Sequence, residues 1–141
     1  MSMDRINKDA LRNAIARNSD EHTQLRPILA SIESAQGIDA LLPLLKELHQ
    51  TLMQHFASER FPERLFDVIE ETHPAHAKSL RELEEEHSFF MHKARDLIFR
   101  ARTPETNNAE DLLSGAQVLV QKFRDHEKRE RTVVEQVLAA D

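Results

Sequence analysis

The chain has no cysteine, no tryptophan, no tyrosine and only two glycines in 141 residues. Without cysteine there can be no disulfide, thiolate metal site, iron–sulfur ligation or cysteine nucleophile. No apolar run approaches the ~18 residues a membrane helix needs, and no signal-peptide pattern opens the chain. The expectation is therefore a soluble, untargeted cytoplasmic protein with no membrane partner. Clustered positive charge is also missing: the net charge is −6, and a phosphate backbone calls for the opposite sign, so no nucleic-acid partner is expected. Scarce glycine with abundant Leu, Ala, Glu, Arg and Lys predicts an all-α protein. The length suits one domain around a single core.

Hydrophobic periodicity divides the chain into helices with short connections. Residues 4–17 form a charged, weakly amphipathic stretch, expected to pack loosely at the edge as an N-terminal helical extension over 1–18. A first long helix is then predicted with Ser19 or Asp20 as its N-cap, Pro27 within it, and Leu25, Ile28, Leu29 and Ile32 on its apolar face. It is expected to end before Gly37, a residue suited to the C′ position. The second begins near Asp39, has Pro43 close to its start and reaches at least Glu59. Phe61-Pro62 then bends or ends it, and Leu65, Phe66, Val68 and Ile69 supply apolar cover beyond the break. The third opens at Thr72-His73-Pro74 with proline at a favoured first-turn position. The fourth runs from Pro104 or Ala109 to the C-terminus. No internal repeat or linker interrupts 1–141, and an up-down-up-down four-helix bundle over 19–141 is the expected architecture.

The informative feature is polar. On the second helix the ladder Leu41, Leu45, Leu48, Leu52 continues into His55 and Glu59. On the fourth, Leu112, Ala116, Leu119, Phe123 continues into His126 and Glu130, then resumes with Val133 and Val137. Steps of three and four keep these side chains on one helical face. The third helix shows the same in Leu80, Leu83, His87, Phe90, Ala94, Leu97, and His22 shares the face of Leu25 and Leu29 on the first. A single such histidine reads most simply as a boundary residue bonded to a carboxylate, and a His–Glu pair at i,i+4 as a surface ion pair. Six such residues, His22, His55, Glu59, His87, His126 and Glu130, on four inward faces are costly to bury unless an ion satisfies them.

Four imidazoles and two carboxylates suit a pair of first-row transition ions, with two non-haem irons favoured ahead of manganese or mixed metals; two irons could share an oxo or hydroxo bridge and leave open positions for a small molecule. A single zinc would leave donors unused, and calcium or magnesium would want more oxygen. His49, His73, His76 and His92 are read as structural or solvated; if a fifth histidine ligand exists, His92 or His49 is the candidate. Glu-x-x-His at Glu70/His73 and Glu84/His87 raises a ferritin-like alternative, but the first pair sits at a helix boundary. The second begins within the acidic run Glu84-Glu85-Glu86, read as a solvated face.

The segments DEHTQL (20–25), HFASERFP (55–62), LEEEH (83–87) and DHEKRE (125–130) resemble, in order and helical phase, the hemerythrin-like or HHE cation-binding family. The resemblance covers 19–138. It implies a four-helix bundle around a non-haem di-iron site that binds, senses or reacts with dioxygen, nitric oxide or peroxide. By position, His22, His55, His87 and His126 would be ligands, with Glu59 and Glu130 bridging. The oxygen carriers add a second histidine one turn from the first on the third helix, where this chain has Leu83 and Met91. They also place an Asp five residues after the last histidine. The chain is closer to the bacterial branch with two His-x-x-x-Glu motifs. Three functions are kept open: a diatomic-binding protein, an iron-handling or redox enzyme such as one for cluster repair or peroxide consumption, and a structural-metal module that serves a protein partner.

Overall fold

The ladder on the second helix is buried along its whole length: Leu41, Leu45, Leu48 and Leu52 are at most 1% exposed. In the computed structural model, which describes residues 2–59 and 65–140 with side chains from 8–57 and 65–140, five α-helices account for nearly all of the chain. They are α1 (Ser2–Ser34), α2 (Ile38–Glu59), α3 (Leu65–Thr72), α4 (Ala77–Arg102) and α5 (Ala109–Ala140), with one 3-10 turn at Pro74–His76 ahead of α4. There is no strand among the described residues, and none of the helices is long and apolar enough to cross a membrane.

The four long helices close into a ring of neighbours: α1 packs on α2 and α5, and α4 packs on α2 and α5. The short α3 lies mainly against α1. Local chemistry sets several boundaries. Asn108 Oδ1 accepts the Asp111 N–H at 3.0 Å, an N-cap that starts α5 at Ala109. The Gly37 carbonyl accepts the Leu41 N–H at 3.0 Å. Gly37 therefore opens α2 and does not close the preceding helix, which has already ended at Ser34. Gly115 allows close contact between α4 and α5, since a Cβ there would stand 3.0 Å from Leu97 Cδ2. Pro74 does start a helical segment, but as a 3-10 turn that leads into α4. The Phe61-Pro62 break lies outside the described residues.

One expectation fails clearly. No boundary exists at Ser19–Asp20, because α1 runs without interruption from Ser2. The reason is a ladder longer than the one read from sequence. Leu11, Ala14, Asn18, His22, Leu25, Leu29 and Ile32 step by threes and fours, and all are buried, while Ser19 and Asp20 face solvent. Burying a leucine is worth about 1.5–3 kcal/mol, against about 1 kcal/mol for a cap. Leu11 and Ala14 also do not pack loosely. They belong to a cluster with Leu65, Phe66, Val68, Ile69, Leu80, Leu83, Val133 and Val137.

A second, larger cluster holds Leu25 to Ile32 of α1, the α2 ladder, Phe90 to Ala101 of α4 and Leu112 to Phe123 of α5. The two clusters are separated on α1, α4 and α5 by one polar layer, at residues 18–22, 86–87 and 126–130. The candidate site lies in that layer.

Candidate metal centre

Three of the expected residues meet directly. His22, His55 and Glu130, all buried, each offer a donor atom, and these atoms lie within 4.8 Å of one another. The His22 and His55 rings stand edge to face at 4.9 Å. Glu130 is 1% exposed and spans the layer. Its Oε1 is 3.4 Å from His22 Nε2, and its Oε2 is 3.3 Å from His126 Nε2. One carboxylate thus turns one oxygen to an α1 histidine and the other to an α5 histidine.

His87 reaches the layer from α4 with its ring centroid 5.4 Å from that of His126. It is stacked on Phe56 at 3.8 Å, and Phe66 stacks at 5.7 Å. Its Nε2 is buried. Glu59 is the last described residue of α2, and its side chain lies outside the described residues.

Outside this inner set is a layer of carboxylates that the periodicity does not reveal. His55 Nδ1 meets Glu21 Oε2 at 2.7 Å, and His126 Nδ1 meets Glu86 Oε1 at 2.7 Å. His22 Nδ1 faces Glu127 Oε1 at 3.5 Å, and Arg26 approaches the same oxygen at 3.6 Å. A carboxylate only accepts, so the two short contacts put the proton on Nδ1. The lone pair of His55 and of His126 then lies on Nε2, on the inner side. This is how outer carboxylates orient metal-binding imidazoles and raise their basicity. Asn18 adds a further contact, donating from Nδ2 to Glu130 Oε1 at 2.8 Å.

Glu86 is partly buried, and burial pulls its carboxyl upward. Hydrogen bonds from Arg129 and His126, with the charges behind them, outweigh that and hold it below the usual carboxylate range. Arg129 Nη2 donates to both Glu86 oxygens at 2.6 Å. Glu86 therefore does not belong to a solvated face, as its place in an acidic run suggests.

The donor set fits a metal. His22 Nε2 and His126 Nε2 are buried with no hydrogen-bond partner among the described residues, a condition that costs free energy in an apolar interior. Two donors each about 2.1 Å from one ion stand about 3–3.4 Å apart, close to the His–Glu130 separations. The ligand types are imidazole and carboxylate, which suit iron, manganese or zinc more than calcium.

The remaining histidines sort differently. His92 is exposed on α4. His73 Nδ1 pairs with Thr72 Oγ1 at 2.8 Å next to the 3-10 turn. His49 lies on α2 outside the polar layer, beside Arg95 and Phe99.

The missed residues left one faint signal. Glu21 directly precedes His22 and Glu86 directly precedes His87, so each flanks an inward histidine on its own helix while holding a histidine of the next. Comparison with curated proteins and with solved structures gives no match. The family comparison gives one over nearly the whole chain: residues 7–138 match the hemerythrin HHE cation binding domain, and the chain belongs to that family.

Proposed function

We propose that this protein holds two non-haem irons in the polar layer, within an up-down-up-down four-helix bundle, and binds, senses or reacts with dioxygen or a related small molecule such as nitric oxide or peroxide. The observation that carries the reading is Glu130, whose two oxygens stand 3.4 and 3.3 Å from the inner Nε2 atoms of His22 and His126. His22 and His55 would hold one ion, and His87 and His126 the other, with Glu130 and Glu59 between them. Bound there, the irons would supply redox chemistry and open positions for a diatomic ligand.

The protein's part is to hold its donors ready and keep water out. Glu21 and Glu86 fix the His55 and His126 tautomers so that Nε2 is the donor atom toward the layer. Asn18 steadies Glu130. Phe90 and Phe123 pack on His126 at 5.2 and 5.9 Å, and Phe56 and Phe66 enclose His87. An aromatic wall of this kind admits a small, weakly polar ligand more readily than a hydrated ion. A hollow of about 300 Å³, lined by Glu86, Phe89, Phe90 and Arg129 among others, opens on the same side. The setting this reading takes is cytoplasmic.

A second reading rests on the same layer. Donors from three helices converge in His22, His55 and Glu130, so the metal could serve as a structural tie for a protein that acts through a partner. Iron counted per chain after anaerobic loading with Fe(II) tests the first proposal. About two irons per chain are expected, with His73→Ala unchanged; a chain that takes up none overturns it. Optical changes on adding oxygen or nitric oxide to the loaded protein separate the readings, since a structural tie would show none.

A further inference from the structure

Away from the polar layer, α2 and α4 share a face of unusual sign for an acidic protein. Lys46 and His49 on α2, with Arg95, Ile98, Phe99 and Arg102 on α4, line a hollow of about 380 Å³. No acidic residue is among them. Lys46, Arg95 and Arg102 have no carboxylate within ion-pair distance among the described residues, although the chain carries a net charge of −6. Nearby Arg100 shows the ordinary alternative, pairing with Asp96 at 3.7 Å.

The larger hollow between α1 and α5 mixes both signs, with Asp125 and Glu127 on its lining beside the cations. It holds about 710 Å³ with Arg26, Arg124, Lys128 and Arg131 on its walls. There, Arg124 is bound by Glu33 at 2.5 Å and Arg26 stands 3.6 Å from Glu127. The α2–α4 hollow differs in gathering three cations around one concavity with no acidic side chain on its lining, a concentration of positive potential that favours an anion.

Two further observations point to an occupant. His49 lines the hollow, and its buried Nε2 has no hydrogen-bond partner among the described residues, so a turn of the ring toward the hollow would let a ligand oxygen satisfy it. Burial, and then the Arg95 charge, lower the His49 pKa, so the guanidinium field reaches the hollow. Phe99 is 66% exposed, the most exposed of the large apolar side chains, and with Ile98 it gives one side of the hollow an apolar wall. His49 is six residues from His55, about 9 Å along α2.

We propose that this hollow binds an organic phosphate: a phosphomonoester head held by Arg95, Arg102, Lys46 and His49, with an apolar body packed on Phe99 and Ile98. Two guanidiniums and an ammonium match a dianion with three acceptor oxygens better than a single carboxylate, which one arginine fork already saturates. The site would let a small metabolite bind independently of the metal layer.

Phenyl phosphate, titrated by calorimetry into the iron-loaded protein at low salt, tests this. It should bind the native chain, and more tightly than inorganic phosphate does, because only the ester has an apolar body. Arg95→Gln/Arg102→Gln, with iron content and helix content unchanged, should weaken it by about tenfold or more. Phe99→Ser should weaken phenyl phosphate and leave inorganic phosphate unaffected. Equal binding by the double variant would place the phosphate elsewhere, the metal layer included, and overturn the proposal. No binding to the native chain, or equal affinity for inorganic phosphate, would also overturn it.

Discussion

The α1–α2 half of the polar layer and the α4–α5 half are built to one chemical plan with different surroundings. Each pairs a helix carrying Glu-His (Glu21-His22, Glu86-His87) with a helix carrying His-x-x-x-Glu (His55/Glu59, His126/Glu130). In each, the Glu of the first helix meets Nδ1 of the histidine on the second at 2.7 Å. The surroundings differ. His22 lies among polar groups, with Glu127 and Arg26 behind it and Glu130 before it. His87 lies between the Phe56 and Phe66 rings, and His126 is packed by Phe90 and Phe123. On the proposed two-iron reading, the shared plan would give two metal positions with like donors, and the unequal walls would make the α4–α5 position the more apolar one. A small, weakly polar ligand would meet iron on that side.

Glu130 joins the halves, so changing it should have the largest effect. Glu130→Ala is expected to lose nearly all iron, because it removes the carboxylate that, among the described residues, faces His22 and His126 together. His55→Ala and His126→Ala should each retain up to about one iron, since each disturbs one half. Metal analysis after anaerobic loading reads all three. Equal loss from all of them would mean that the halves do not act as separate positions.

Phe66→Ala probes the aromatic wall. Phe66 is fully buried in the smaller cluster and stacks over His87, so its removal should cost about 3–5 kcal/mol. The loss would appear as a lowered denaturation midpoint, while iron stoichiometry at low temperature stays near the native value. A change below about 1 kcal/mol would show that α3 is not part of the folded core.

The inner set was legible in sequence because it interrupts a hydrophobic ladder: His55, His126 and Glu130 stand where leucine or valine would continue the stripe, and their burial is a consequence of phase alone. The helices were legible for the same reason. Their ends were less so, as Gly37 and the run across Ser19–Asp20 show, because a cap is a local preference that a buried stripe outweighs. The outer residues were illegible for a different reason. Glu21 and Glu86 serve histidines 34 and 40 residues away, and Asn18 serves a glutamate 112 residues away. Each sits beside the stripe, where polar residues ordinarily face water, and only the helix pairing shows what it touches.

That outer layer carries the smallest expected effects. Glu21→Gln and Glu86→Gln keep the shape of each contact but remove the charge that makes the imidazole a better donor. Each should weaken iron binding by about 10–100-fold, read by competition with a chelator. Glu86→Gln should also alter acid sensitivity in chelator-treated protein. The native Glu86 carboxyl is held below its ordinary value, so its contribution is present above the usual carboxylate range and is lost as pH falls through the folded-state value. The stability difference between native and Glu86→Gln chains should therefore shrink on acidification. Arg129 is half exposed, so the difference should not exceed about 1 kcal/mol. A difference independent of pH would mean that the contact matters through the amide-tolerant hydrogen bond to His126 and not through charge, and the two halves would then differ in their walls alone.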